Sequence, residues 1–321
     1  MASDLSFDWL DYDADMKRIF RALKPTFIVA PRELSQARLT QLLKTYLPKG
    51  NVLIGIAREH YVLGFENQPQ FKVLTESDVE YLAGKVATSG SPHLLYILTY
   101  SQREEVDVLR AVKPKHAVVV RGSYQYVFHR RPLYHVLNEK RIPFDLVTPF
   151  RDEAEAKTYL AHVAPQLPKI KLIPGGETDM LELAHKAAAN SFDYSLQVGC
   201  VVAAKKISRY HPLVAADNSV VPYQTYALHA GNSREEHLSE AHDSNYYDTI
   251  HAEMKALIQL SDMGETLRGK TLFLTMLPCP NCARTLSQAG PKEIVYGLDH
   301  SDGYAVQLLE QCGVKMRKVA A

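Results

Sequence analysis

Five short apolar runs punctuate the first half of the chain: TFIVA (26–30), NVLIGIA (51–57), HLLYILTY (93–100), HAVVVRG (116–122) and FDLVTPF (144–150). The segments between them, such as ELSQARLTQLLKTYL and REEVDVLRAV, carry the patterning of amphipathic helices. Near-continuous apolar runs of this length predict strands buried on both faces, and the periodic segments predict the helices that cover them. The expected architecture is α/β, a Rossmann-like parallel-sheet N-terminal domain. A helix at about residues 8–23 precedes the sheet and another, RDEAEAKTYLAHV, closes it.

The segment PQLPKIKLIPGGETD (165–179) holds three prolines and a Gly-Gly pair, which interrupt periodic structure and suit a linker. The expected organisation is a first domain at 1–168, a linker at 169–178 and a second domain at 179–321. After the linker come a helix (MLELAHKAAANSF), an apolar strand (VGCVVAAKKI), an aromatic-rich stretch ending in LHAGN, and a loop. A helix from about His251, a strand (TLFLTML), a helix from Cys279, a strand (EIVYGL), a helix (YAVQLLEQCG) and a last strand (VKMRKV) follow. The second half is also α/β, and no repeat or low-complexity tract is present.

Composition narrows the class only slightly. Of 321 residues, 46% are apolar and 23% charged, as in ordinary globular proteins. No apolar run approaches the roughly 20 residues of a membrane-spanning helix, and the N-terminus MASDLSFDWLDYDAD is acidic. A cytoplasmic protein without a membrane partner is expected. Four cysteines (Cys200, Cys279, Cys282, Cys312) are too few and too unevenly spaced for a disulfide scaffold, which leaves thiols or metal ligands. Residues 1–177 carry a net +4 and residues 178–321 a net −3, so neither half reads as a nucleic-acid binder by charge alone. The absence of G-x-x-x-x-G-K-[ST] and of G-x-G-x-x-G argues against a P-loop kinase or an ordinary dinucleotide-binding first domain.

Two stretches carry chemistry: IHAEMKAL (250–257) and LPCPNCARTL (277–286). Zinc favours imidazole nitrogen and thiolate sulfur in a tetrahedron, and a catalytic zinc keeps one position for water. His251, Cys279 and Cys282 supply three ligands. The cysteines stand three apart at a helix start marked by Pro278, so both sulfurs lie on one face of the first turn, where the helix end favours thiolates. A zinc there lowers the pKa of its water from about 16 toward 7. Spacing alone does not put His251 and Glu253 on one side, because helical positions i and i+2 diverge.

These residues resemble the cytidine and deoxycytidylate deaminase superfamily, whose signature is H-x-E followed by P-C-x-x-C on adjacent helices. The match runs from His251-Ala252-Glu253 to Pro278-Cys279-Pro280-Asn281-Cys282, and the resemblance covers roughly residues 178–321. It implies a cytidine-deaminase-like α/β/α domain, a Zn2+ cofactor, and Glu253 as the proton shuttle. It also implies a homo-oligomer acting on a small-molecule nucleotide. The ending KEIVYGLDHSDGYAVQLLEQCGVKM is similar to the tail of deoxycytidylate deaminases and tilts the expected substrate toward a dCMP-like nucleotide. The family's sugar-contacting Asn has its nearest match at Gly231-Asn232, without the usual G-Y-N-G continuation. Asn232, and Arg234 against a phosphate, are therefore the substrate-contact candidates.

Other readings of the same residues exist. A closed structural zinc site would take a fourth ligand from His242, His237 or Cys200, but it leaves Glu253 without a purpose. A Cys-x-x-Cys redox pair leaves both His251 and Glu253 idle. Cys200 and Cys312 read as small apolar residues, and His229, His237 and His242 as a polar loop instead of a second metal site. RGSYQYVFHRRPLYHVLNEKR (121–141) reads either as a nucleic-acid surface or as a helix with tyrosines in the core and arginines in solvent. Two rivals to the nucleotide deaminase follow: a deaminase of RNA or DNA bases that binds through the first domain, and a catalytically silent deaminase-fold subunit.

Overall fold

The computed structural model describes residues 6–30, 33–87, 91–120, 131–193, 196–230, 249–299 and 303–319. By contact the chain forms two compact units, Met1–Val163 with Thr225–Leu238, and Ala164–Gln224 with Ser239–Ala321.

The first unit opens with β1 (Ser6–Asp8), α1 (Ala14–Leu23), β2 (Thr26–Ala30), α2 (Gln36–Tyr46), β3 (Val52–Ala57) and α3 (Glu76–Val86). It continues through β4 (Leu95–Tyr100), α4 (Glu105–Val112), β5 (His116–Val120), α5 (Pro132–Glu139), β6 (Phe144–Val147) and α6 (Glu153–Val163). The strands make one sheet in the order β1-β4-β3-β2-β5-β6, and every neighbouring pair is parallel. Side chains alternate between its faces. Ile28, Ile54, Ile97 and Val118 pack under α2 and α3, while Val29, Leu53, Leu98 and Val119 pack under α1, α4 and α5. Burial on both sides is what made these runs apolar throughout, at roughly 1.5–3 kcal/mol for each fully buried aliphatic side chain.

Two segments differ from expectation. Residues 8–23 are not one helix: Ser6–Asp8 pairs with β4, Asp8 caps a single tight turn through Leu10 N (2.8 Å), and Asp13 caps α1 through Met16 N (2.8 Å). Each aspartate offers the backbone a local acceptor and so restarts the chain. The fifth apolar run stops at Val147, because Pro149 has no N–H for a ladder; its carbonyl instead accepts from Ser35 N (3.0 Å).

Without β1, the order β4-β3-β2-β5-β6 is that of a doubly wound sheet, whose reversal between β2 and β5 is where such sheets usually hold ligands. Here the chain's own residues cross that edge. After Pro149, Phe150 stacks on Tyr159 of α6 (5.0 Å between centroids), and the Tyr159 hydroxyl donates to the carbonyl of Gln70, beyond β3 (3.2 Å). Burial raises the Tyr159 phenol above its ordinary range. In the 121–141 stretch, α5 buries Leu133, Val136 and Leu137, and Tyr134 meets Phe144 edge-on; residues 121–130 lie outside the described ones.

The second unit comprises α7 (Glu177–Ala188), β7 (Gly199–Lys206), β8 (Arg209–Asp217) and β9 (Ser219–Val220); α8 (Tyr226–Ala230), which clusters with the first unit, interrupts it. Then follow β10 (Thr249–Ile250), α9 (Ala252–Asp262), β11 (Thr271–Met276), α10 (Pro280–Ala289), β12 (Glu293–Leu298), α11 (Tyr304–Gln311) and β13 (Lys315–Lys318). The sheet order is β13-β12-β11-β7-β8; β11, β12 and β13 run parallel, and β7 is antiparallel to both its neighbours. Met180, Leu183 and Ala184 of α7 cover one face, and α9, α10 and α11 cover the other, an α/β/α sandwich. Gly199 makes the α7 contact possible, since a Cβ there would stand 1.8 Å from the Ala184 carbonyl oxygen. The aromatic-rich stretch after β7 contains a strand the sequence did not disclose, β8. Among the described residues no helix is long and apolar enough to cross a membrane.

Candidate active site

Two strands of the second unit, β10 of the short antiparallel ladder and β11 of the main sheet, deliver two helix starts to the same place. β10 ends at Ile250 and α9 begins at Ala252, so His251 is the N-cap, with extended backbone (φ −64°, ψ 149°). That resolves the spacing problem of H-x-E. Only Glu253 is inside the helix, and the imidazole is free of the 100° step that separates helical neighbours.

The fully buried β11 ends at Met276 and leads into Cys279, again an N-cap (φ −65°, ψ 163°), with Pro280 at the first helical position and Cys282 in the first turn. The helix-starting proline is therefore Pro280, not Pro278. The Cys282 backbone N–H donates to Cys279 Sγ at 3.4 Å, as a serine cap would accept it.

These caps bring His251 Nδ1 to 3.5 Å from Cys279 Sγ and 3.3 Å from Cys282 Sγ. Bonds of about 2.3 Å to sulfur and 2.0 Å to nitrogen, set at the tetrahedral angle, separate the two donors by about 3.5 Å. The three donor atoms all lie within 4.8 Å of one another. Protonation tells the same story. Hydrogen bonds from Cys282 and His251 hold the Cys279 thiol down at about 3, against the opposing effect of burial, while the Cys279 sulfur and burial push Cys282 up. His251 is raised by its bond to Cys279. One sulfur of the facing pair ionises readily and the other resists, and ionising both calls for a cation between them. The donor set fits zinc.

Glu253 is 4% exposed and adjoins this cluster, with a hydrogen bond to Cys282. Burial raises its carboxyl above the ordinary range, and its own backbone N–H and His251 offset that only in part. A carboxyl in that state holds a proton more tightly than an exposed one, which suits a group that must take a proton and give it up again. Beside it opens a cavity of about 100 Å³ lined by Asn218, Thr249, His251, Glu253, Leu277 and Cys279, among others.

Among the described residues the donor group comprises His251, Cys279 and Cys282. Cys200, fully buried in β7, is not part of it, and Cys312 is exposed. His237, His242 and the substrate candidates Asn232 and Arg234 lie outside the described residues. His229 sits on α8, edge-on to Tyr226 at 5.3 Å.

The cavity also contains residues the sequence did not single out. Asn218 follows β8 directly and is 4% exposed. Its Oδ1 accepts from Val198 N (2.8 Å), and its Nδ2 donates to Asp193 Oδ2 (3.1 Å) and to the Leu196 carbonyl (2.9 Å), which holds Asp193, Leu196 and Val198 at the cavity wall.

Residues 176–298 match the family model described as the cytidine and deoxycytidylate deaminase zinc-binding region. ComE operon protein 2 of Bacillus subtilis (strain 168) is 38% identical over 78 residues, covering 24% of this chain and 41% of that protein. The deoxycytidylate deaminase of Enterobacteria phage T4 is 36% identical over 61 residues, 19% of this chain and 32% of that one. The alignments thus span less than half the length of these curated relatives. A crystal structure of dCMP deaminase from the cyanophage S-TIM5 in complex with dCMP and dUMP is similar over 44% of this chain and 96% of that chain, with 25% identity and a TM-score of 0.36.

Proposed function

We propose that this protein, whose residues 176–298 match the cytidine and deoxycytidylate deaminase zinc-binding region, is a zinc-dependent hydrolytic deaminase of a cytosine-type nucleotide of the dCMP class. One water and the cytosine base give the uracil base and one ammonia. The observation that carries the reading is the meeting of one imidazole nitrogen, two cysteine sulfurs and a buried carboxyl at a single cavity. The choice of a deoxycytidine nucleotide draws its support from the deoxycytidylate deaminases among the relatives. Residues 1–168 would be a Rossmann-like module appended to a deaminase domain at 179–321.

His251, Cys279 and Cys282 would hold the zinc, a Lewis acid that brings the pKa of water toward about 7. Glu253 does the proton work. Its carboxylate takes the proton that water gives up and passes it to the ring nitrogen beside the reacting carbon, then takes a second proton from the hydroxyl added at that carbon and delivers it to the departing amino group, which leaves as ammonia. Burial keeps the carboxyl dry and raises its proton affinity, which suits a group that must both accept and donate. Asn218 and Asp193 fix one wall, so the base enters a cavity whose shape is set by their hydrogen bonds.

Ammonia release by the zinc-loaded protein across cytidine, CMP, dCMP, dCTP, adenosine, guanine and short single-stranded RNA and DNA tests this reading. Turnover of dCMP above the other substrates is expected. Silence on every free nucleotide with turnover of a polynucleotide would replace the nucleotide deaminase with a nucleic-acid editor.

A further inference from the structure

The end of β8 carries two adjacent polar side chains with different duties. Asn218 lines the cavity and holds Asp193, Leu196 and Val198 at its wall. Asp217, 8% exposed, holds the first turn of α9. Its Oδ1 accepts from Lys255 Nζ at 2.8 Å, and Lys255 Nζ also donates to Ser219 Oγ. Ser219 Oγ in turn donates to Asp217 Oδ2 at 3.1 Å, and Gln224 Nε2 donates to the same oxygen at 3.3 Å. The carboxylate is thus met by three donors, and all of these residues belong to the second unit.

Lys255 stands one turn beyond His251 and two residues beyond Glu253, and its backbone N–H donates to the His251 carbonyl at 2.9 Å. A cation so close to a helix start opposes the macrodipole, and here it also neighbours a site whose donors suit a second cation. Local helix energetics therefore do not account for a lysine at this position. The carboxylate on β8 does. The apolar contacts between strand and helix are made by small groups, since Val214 and Ala216 of β8 share a buried cluster with Ala252 and Ala256 of α9. Such contacts tolerate a small slide of the helix, whereas hydrogen bonds to a charged group are fixed in both length and direction.

We propose that Lys255 and Asp217 are positioning residues: their ion pair fixes the first turn of α9, and with it the Glu253 carboxyl, relative to the cavity wall that Asn218 holds. Neither member of the pair lines the cavity, while Asn218 and Glu253 both do. Because Asp217 and Asn218 are neighbours in the chain, one strand end ties down both sides of the cavity. The consequence for turnover rests on the deaminase reading; the anchoring of α9 does not. A base held at one wall reacts only when the carboxyl on the other reaches its ring nitrogen, and a displacement of about 1 Å costs up to about a hundredfold in rate.

The test compares Lys255→Met with the double variant Lys255→Met, Asp217→Asn. The single variant leaves a nearly buried carboxylate without its cation and so lowers stability whatever the pair does for the site. The double variant strands no charge, and its melting temperature should return close to the wild-type value; it carries the test alone if the single variant does not fold. Amide exchange is read without substrate, and zinc content and steady-state kinetics on zinc-loaded protein. In both variants, exchange at Ala256 and Leu257 should quicken while Ala184 of α7 and Phe273 of β11 stay protected. Zinc should remain at one per chain, and kcat should fall about 10- to 100-fold with a smaller change in KM. A merely structural pair predicts instead that the double variant recovers turnover together with stability. Native exchange at Ala256 and Leu257 in the double variant would overturn the anchoring, and quickened exchange with wild-type kcat would overturn the positioning. A wild-type protein that deaminates nothing would end the functional reading alone, and exchange would still decide whether the pair anchors α9.

Discussion

Glu253→Gln is expected to lower kcat by about 10²–10⁴-fold while the protein stays folded and keeps its zinc. The amide matches the carboxyl in size and can still face Cys282, but it cannot accept a proton from water and return it to the base. The loss should appear in kcat with little change in KM, because the residue acts on protons in flight instead of on the bound ground state. Stability should move the other way. Glu253 is buried and its proton affinity is raised by that burial, which means the charged form is held in the fold at a penalty. A neutral side chain there should leave the melting temperature unchanged or higher, the usual trade where an active site is held against its own stability. Steady-state kinetics, metal analysis and a thermal scan on one preparation settle all three. A variant that keeps wild-type turnover removes Glu253 from the mechanism, and one that loses zinc makes it a ligand.

Cys282→Ser should abolish turnover by a different route, through the metal. Cys282 is 2% exposed, lies 3.3 Å from His251 Nδ1, and is pushed up by the facing Cys279 sulfur and by burial. A serine hydroxyl is a poor partner for zinc and does not ionise in this setting, so zinc content should fall well below one per chain. Because a ligand that binds only the folded state stabilises it by about 2.7 kcal/mol at a hundredfold excess over its Kd, wild-type protein should lose at least that much on chelation. The Cys282→Ser protein should start at the lower stability and show no further response to the chelator. Thermal scans with and without chelator separate the cases. A wild type that is indifferent to chelation would mean that the three donors hold no metal.

The cluster of His251, Cys279 and Cys282 was legible in the sequence because the motifs that carry it are local. H-x-E and P-C-x-x-C name four residues without any knowledge of the fold. What they do not reveal is why His251 and Glu253 face one way, since that depends on an extended residue before each helix, set by β10 for His251 and by β11 for Cys279. Strands β2 to β5 were equally plain, because a central parallel strand is apolar on both faces. β8 was not. It is an edge strand with Arg209, His211 and Pro212 in it, and its register with β7 shifts between Val202 and Ala203, where Pro212 sits opposite. Its turn is hidden too: Ile207, a β-branched residue, takes the left-handed position (φ 55°) that Gly or Asn would advertise. With β8 unseen, Asn218 at its end had no place beside the cavity it lines. β1 was lost for a related reason, being three residues long and followed by two aspartate caps.

The most direct test of the central claim is the fate of oxygen when zinc-loaded protein is given dCMP in water enriched in ¹⁸O. The account predicts dUMP carrying one heavy oxygen in the base for each ammonia released, and no product from the Glu253→Gln protein under the same conditions. Absence of dUMP, or dUMP formed without the heavy oxygen, would contradict a hydrolytic deamination at the site of His251, Glu253, Cys279 and Cys282.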